Sequence, residues 1–286
     1  MKICKLHIPL KNKYYLHMKY FMIPILSGLI VLMSFIIKSK EIKKEKQEKK
    51  ISNAATLLLK PEVPVLCYHR IRNILASDSE NMKTYSVSPT RFAQQMKTLS
   101  ENGFHPISLN QLYDYLIHDG VLPPKPILIT FDDGREEQYR LGIEELNKYG
   151  FKGVFFIMTV SMGRPGYMSR TQIKHLSDNG HTIGAHTWDH HPVTNYEYKD
   201  WNIQLIKPKK QLEEITGKKV SYFAYPYGAW NTSSIPKIKN CGYELAFILS
   251  TKRNLDQPLF TIRRLIVTES MSRNRMITAI ETAFKQ

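Results

Sequence analysis

Two adjacent carboxylates, Asp132 and Asp133, end the short apolar run Pro126-Ile127-Leu128-Ile129-Thr130-Phe131 and are followed by Gly134. The run is short and β-branched, which predicts a buried strand rather than a helix. Parallel-sheet and barrel enzymes keep their chemistry at the C-terminal ends of such strands. Neighbouring side chains diverge in extended or turning backbone, so one aspartate can hold a metal while the other accepts a proton. Asp-Asp-Gly is equally good turn chemistry, and alone it divides evenly between the two readings.

Further along, Thr182 to Ala185 forms a second strand-like run leading into His186-Thr187-Trp188-Asp189-His190. A lone histidine is more often a core or surface residue, but two of them four apart after a strand can converge on one ion. Asp133, His186 and His190 would make a set of one carboxylate and two imidazoles, with positions left open for water and substrate. That is the arrangement a hydrolytic metal requires. A third stretch, Phe223-Ala224-Tyr225-Pro226-Tyr227-Gly228, again ends an apolar run.

Taken in order, Thr130-Phe131-Asp132-Asp133-Gly134, His186-Thr187-x-x-His190 and Pro226-Tyr227-Gly228 resemble the motifs of the polysaccharide deacetylase family, carbohydrate esterase family 4, with its NodB-like domain. The resemblance covers the chain from about Val63 onward. It implies a distorted, incomplete (β/α) barrel and a divalent metal, with Zn2+ first and Co2+, Ni2+ or Mn2+ as alternatives. It also implies roles: Asp132 as general base, Asp133, His186 and His190 as metal ligands, and the backbone N–H of Tyr227 as an oxyanion donor.

The chain departs from the family pattern twice. Family members usually take their proton donor from a C-terminal Leu-x-His motif, yet no histidine follows His191. His69, ending the strand-like Val63–Tyr68 run, is the replacement; the bland alternative is a histidine hydrogen-bonded within the fold. Tyr68-His69-Arg70 and Ala224-Tyr225-Pro226-Tyr227-Gly228 both resemble the subgroup acting on poly-β-1,6-N-acetylglucosamine. Ala224 stands where the common pattern has an arginine that orients the base. Arg264, in Ile262-Arg263-Arg264-Leu265, can supply that charge from another strand, or it is simply an exposed arginine. Trp188, Tyr227 and Trp230 are candidates for a sugar-stacking rim, though aromatics near strand ends are at least as often core.

The elements that must position these residues alternate. Ser88-Pro89 opens a helix as N-cap and first position, and Ser169 opens another. Strands are expected at 63–68, 104–109, 126–131, 153–158, 182–185, 221–225, 244–250 and 261–267. Helices are expected near 112–118, 140–149, 169–179, 201–216 (with an interruption at Pro208), 234–240 and 273–284, and 73–83 reads as a polar loop. Strands alternating with helices imply a mostly parallel sheet, and a core of ordinary single-domain size suits the 286 residues.

The formal charge of +16 is concentrated at the N-terminus, where residues 1–60 hold 13 Lys/Arg against 3 Asp/Glu while the remainder holds 28 against 22. This distribution and the lack of a nucleic-acid motif argue against a basic groove; attraction to acidic envelope polymers is equally compatible. The expected organisation is a basic segment over 1–20, an apolar anchor over 21–37, a charged stalk over 38–60 and a catalytic domain over 61–286. The apolar run is at the short end for a membrane span, and a cleaved signal peptide with secretion is the alternative. Met18 and Met22 are alternative starts. Cys4, Cys67 and Cys241 form no paired framework. The expected protein is thus a membrane-anchored, outward-facing N-deacetylase of an N-acetylglucosamine polymer, with no nucleic-acid partner and no inferable protein partner. Deacetylation of peptidoglycan, chitin oligomers or xylan, and an inactive carbohydrate-binding homologue, are the alternatives.

Overall fold

The computed structural model describes residues 33, 36–39 and 54–284. The apolar run 21–37 and the stalk 38–60 therefore lie largely outside the described residues, and among the described residues no helix is long and apolar enough to cross a membrane. Ser52–Gln286 forms one compact unit.

That unit opens with helix α1 (Ala54–Leu59), then strands β1 (Val65–Tyr68) and β2 (Arg70–Ile71), helix α2 (Glu80–Thr84) and strand β3 (Ser86–Val87). Helix α3 (Pro89–Glu101), strand β4 (His105–Pro106), helix α4 (Leu109–His118) and strand β5 (Pro126–Phe131) follow. Next come helix α5 (Ile143–Lys148), strand β6 (Val154–Ile157), helix α6 (Arg170–Asp178), strand β7 (Thr182–Ala185) and helix α7 (Lys207–Thr216). Strand β8 (Tyr222–Ala224), helix α8 (Ser234–Asn240), strands β9 (Leu245–Ile248), β10 (Ile262–Arg263) and β11 (Leu265–Ile266), and helix α9 (Arg273–Phe284) complete it.

The main sheet runs β10-β9-β8-β7-β6-β5-β1-β11, with every pairing parallel. Residues 261–267, expected as one strand, break at Arg264 into β10 and β11. Ile262 and Arg263 pair with β9, whereas Leu265 and Ile266 pair with β1. One short segment therefore joins the two edges of the sheet, giving a nearly closed parallel barrel wrapped by helices.

Period-two alternation sorts the strand residues into two layers. Leu66, Ile129, Phe155, Phe223 and Ala246 pack with Met96, Leu146, Leu176 and Leu212 from the surrounding helices. Val65, Leu128, Phe156, Tyr222 and Phe247 form the other cluster, which α4 joins through Leu109, Leu112 and Leu116. Cys67 and Thr130 continue the register of this second set, and so do His69 and Asp132 just beyond the strand ends.

The helix starts follow their caps. Ser88 accepts from the Arg91 N–H with Pro89 in the first turn. Ser108 and Ser169 each form a full capping box, with Gln111 and Gln172. Ser108 moves the start of α4 to Leu109, so the expected strand at 104–109 shrinks to His105–Pro106. The 73–83 stretch is not all loop, because Ser79 accepts from the Met82 N–H and starts α2. Both Cys67 and Cys241 are free thiols.

Candidate active site

The chemistry-bearing residues follow the C-terminal ends of β1, β5, β7 and β8 and meet in one cavity of about 500 Å³. His69, Asp132, Asp133, His186, His190 and Tyr227 all line it, and Leu249 after β9 adds a further wall. Trp188 and Trp230 do not line it. Trp188 is exposed, and Trp230 packs partly buried against the outer core layer.

Asp132 and Asp133, adjacent in sequence, occupy different surroundings. The chain turns at Asp133, whose φ is 75°, and this separates the two side chains. Asp132 is buried and held by both ends of the Arg264 guanidinium, with Nη1 to Oδ1 at 2.6 Å and Nη2 to Oδ2 at 2.7 Å. Such a fork-to-fork pair fixes the plane of the carboxylate. Burial would push the Asp132 carboxyl up, but the charges of Arg264, His186 and His69 and the Arg264 hydrogen bonds outweigh it and hold the group well below the usual carboxylate range. Arg264 is raised in turn: burial opposes its charge and the Asp132 carboxylate more than compensates.

Asp133 faces the imidazoles instead. Its Oδ1 lies 3.7 Å from Nε2 of His186 and 3.7 Å from Nε2 of His190, and the three ligand atoms fall within 4.8 Å of one another. His186 Nδ1 donates to the Ala224 carbonyl at 2.8 Å. This fixes the tautomer and leaves the Nε2 lone pair aimed at the cluster; that Nε2 is buried and has no hydrogen-bond partner among the described residues. Burial, then the nearby His186, lowers His190 to about 4, so its imidazole is neutral and available as a ligand. One carboxylate oxygen and two imidazole nitrogens, one of them buried without a partner, fit a divalent cation.

Backbone strain concentrates around this cluster. Asp133, Thr187, His190 and Tyr227 all have positive φ without being glycine, which is uncommon and found preferentially at functional sites. The Thr187 hydroxyl accepts from the His190 N–H at 2.9 Å and stabilises that turn. Tyr227 sits at φ 57° within the Pro226–Gly228 turn. The N–H groups of Gly228 and Ala229 close the turn onto Tyr225 and Pro226, and the Tyr227 N–H takes no part in those bonds. The Tyr227 ring lies edge-on to His190 with centroids 4.3 Å apart.

His69 reaches the cavity from β1. Its Nε2 is 3.8 Å from Asp132 Oδ2, its Nδ1 is 3.9 Å from the Cys67 thiol, and its ring packs on Tyr85 at 4.6 Å. Burial lowers its pKa, partly offset by the Asp132 and Asp133 charges. Gln138 escaped the sequence reading. Buried in a π-turn over Gln138–Gly142, its side-chain amide donates to the carbonyls of His69 (2.5 Å) and Asp132 (2.6 Å) and so ties two strand ends together. A lone glutamine in a helical stretch carries no sequence signal for this.

The polysaccharide deacetylase family model matches residues 119–246, a span that includes Asp132, Asp133, His186, His190 and Tyr227 but neither His69 nor Arg264. A poly-beta-1,6-N-acetyl-D-glucosamine N-deacetylase of Staphylococcus aureus (strain MRSA252) is 30% identical over 209 residues, 65% of this chain and 72% of that protein. The structure of IcaB from Ammonifex degensii is similar with a TM-score of 0.64 and 28% identity, covering 78% of this chain and 98% of its own. The Streptococcus pyogenes deacetylase PplD in complex with acetate has a TM-score of 0.70 over 78% of this chain and 100% of its own. At 21% identity that last likeness speaks to the fold alone.

Proposed function

Because the chain belongs to the polysaccharide deacetylase family, we propose that it removes N-acetyl groups from a polymer of N-acetylglucosamine in a metal-dependent hydrolysis that releases acetate. The observation that carries this reading is the division of labour between adjacent carboxylates: Asp132 clamped by Arg264, and Asp133 facing His186 and His190. The identity and linkage of the glycan are read from the 30% identical relative named for poly-β-1,6-N-acetylglucosamine.

Asp133, His186 and His190 would hold the cation, with Zn2+ favoured by the nitrogen and oxygen donors and Co2+, Ni2+ or Mn2+ also compatible. When bound, a divalent ion polarises an acyl oxygen and makes water more acidic. Asp132 accepts the proton of the attacking water, with Arg264 keeping its carboxylate in one orientation. The Tyr227 N–H donates to the oxygen on which negative charge develops. His69 protonates the leaving nitrogen, so the products are a free amine and acetate, and contacts with Cys67 and Tyr85 hold the His69 ring in place.

The test is acetate release from a panel of glycans: β-1,6-linked and β-1,4-linked N-acetylglucosamine oligomers, peptidoglycan fragments and acetylated xylan. Each is assayed with the metal-loaded protein and after chelation. Release from the β-1,6 oligomers that chelation abolishes and Zn2+ restores is expected. Full activity after complete metal removal would overturn the metal reading, and release from xylan alone would overturn the substrate.

A further inference from the structure

Three arginines approach the catalytic cavity, and two of them are neutralised. Arg264 is spent on Asp132, and Arg70 Nε donates to Glu137 at 2.5 Å. Arg135 differs. It lines the cavity immediately after the Asp-Asp-Gly turn. Its backbone is pinned by an antiparallel bridge to Tyr167, and its guanidinium lies over the Tyr167 ring at 4.2 Å. Its Nε is buried and hydrogen-bonded to nothing among the described residues. Its one ion pair among the described residues is a long one, 4.0 Å from Nε to Asp133 Oδ2, and the other oxygen of that carboxylate faces the two histidines and the cation they would share. Arg135 is thus a fixed positive charge, stacked in place and hydrogen-bonded to no carboxylate among the described residues, sharing Asp133 with the cation site, in the wall of a site whose reaction creates positive charge.

The chemistry gives this a consequence. Hydrolysis of each acetamide converts a neutral sugar unit into one carrying an amine, which is an ammonium ion near neutral pH. A polymer lying across the cavity presents the units next to the one being processed. We propose that Arg135 sets the pattern of deacetylation: its charge, only partly offset by an aspartate that also serves the cation, repels units that have already lost their acetyl group, so the enzyme selects acetamides flanked by acetylated neighbours and leaves the free amines spaced along the chain. This inference rests on the deacetylase reading above and deepens it from substrate class to selection along the polymer. An acetylated neighbour, by contrast, offers hydroxyl and carbonyl oxygens to the unused guanidinium donors.

Two unit charges about 8 Å apart at an effective dielectric of about 40 repel by an amount equal to roughly a fivefold difference in rate constant. That is enough to bias a polymer pattern, and a preference of this origin weakens as salt screens it.

The experiment uses the full, metal-loaded chain on a β-1,6-linked N-acetylglucosamine hexamer, with the positions of free amines mapped by tandem mass spectrometry at matched acetate release. The wild type is compared with Arg135→Gln and Arg135→Lys at low salt, and the wild type is repeated at high salt. Expected are spaced amines for the wild type and for Arg135→Lys, and adjacent amines enriched about fivefold in Arg135→Gln. High salt should move the wild-type pattern towards that of Arg135→Gln. The same spacing in wild type and Arg135→Gln, or contiguous amines from the wild type at low salt, would overturn the proposal while leaving the deacetylase reading standing. If Arg135→Gln does not fold, the salt arm decides on the wild type alone: a spacing unchanged by salt overturns the proposal. Absence of acetate from the wild type on every glycan would sink both.

Discussion

Asp132 and Asp133 share a side chain and a sequence position to within one residue, yet the fold gives them opposite neighbours. A bidentate arginine fixes orientation at the expense of basicity, because it stabilises the ionised carboxylate. Asp132 is therefore ionised throughout the range in which the protein would work, ready as an acceptor but a weak base, and the barrier must be lowered by placement as much as by proton affinity. His69 is the complementary case: burial disfavours its charge, which makes the imidazolium, once formed, a better donor. Expelling an unprotonated nitrogen is prohibitively slow, so His69→Ala should lower amide hydrolysis by about 10²–10⁴-fold. An activated acetate ester has a good leaving group and should lose much less. Equal losses on both substrates, with metal content unchanged, would assign His69 a positioning role instead.

At the scale of elements, the site depends on turns that ordinary residues do not favour. Gly228 has φ +66°, and a Cβ there would come within 2.5 Å of the Leu249 backbone nitrogen. Since it follows Tyr227 directly, Gly228→Ala should displace the turn that presents the Tyr227 N–H. A shift of about 1 Å at that position corresponds to roughly a hundredfold in kcat. The same variant should lower thermal stability, by about 1–3 kcal/mol for the strained backbone alone; an alanine variant with unchanged kcat would remove this turn from the catalytic geometry. Signals of this local kind were the legible ones. Ser88-Pro89 and Ser169 declare their helices through capping, and the apolar run at 126–131 declares its strand. What sequence could not declare was convergence. Arg264 could be nominated from its strand, but its pairing with Asp132 depends on the break at 264 that turns its side chain inward, and Gln138 depends on two strand ends meeting. Trp188 and Trp230 lie outside the cavity lining for the same reason: proximity to a histidine or a turn along the chain does not by itself put an indole in the cavity.

For the whole molecule, most of the excess positive charge lies in residues 1–60. We propose that residues 21–37 anchor the chain with the catalytic unit outside, where acetylated polymers are. Fractionation should recover the full chain in membranes and a chain lacking residues 1–37 in the soluble fraction; equal recovery of both in the soluble fraction would refute the anchor.

The seam of the barrel carries a separate consequence. Between β9 and β1 the ring is completed by two pairings of two residues each, and Arg264 is the link between them. Elsewhere in the ring β1 with β5 and β6 with β7 have four pairs, β5 with β6 has two and β7 with β8 has one, but those strands are three to six residues long. When the barrel breathes, it should part first where its shortest strands, two residues each, close the ring, and the guanidinium that aligns Asp132 would leave with them. Heat should then silence the enzyme before it melts the fold, as local opening precedes global unfolding. Hydrogen exchange at residues 262–267 should rise together with reversible loss of turnover while the circular dichroism signal of the helices is still intact. If activity and helicity were lost at one temperature, the seam would be as firm as the rest of the barrel.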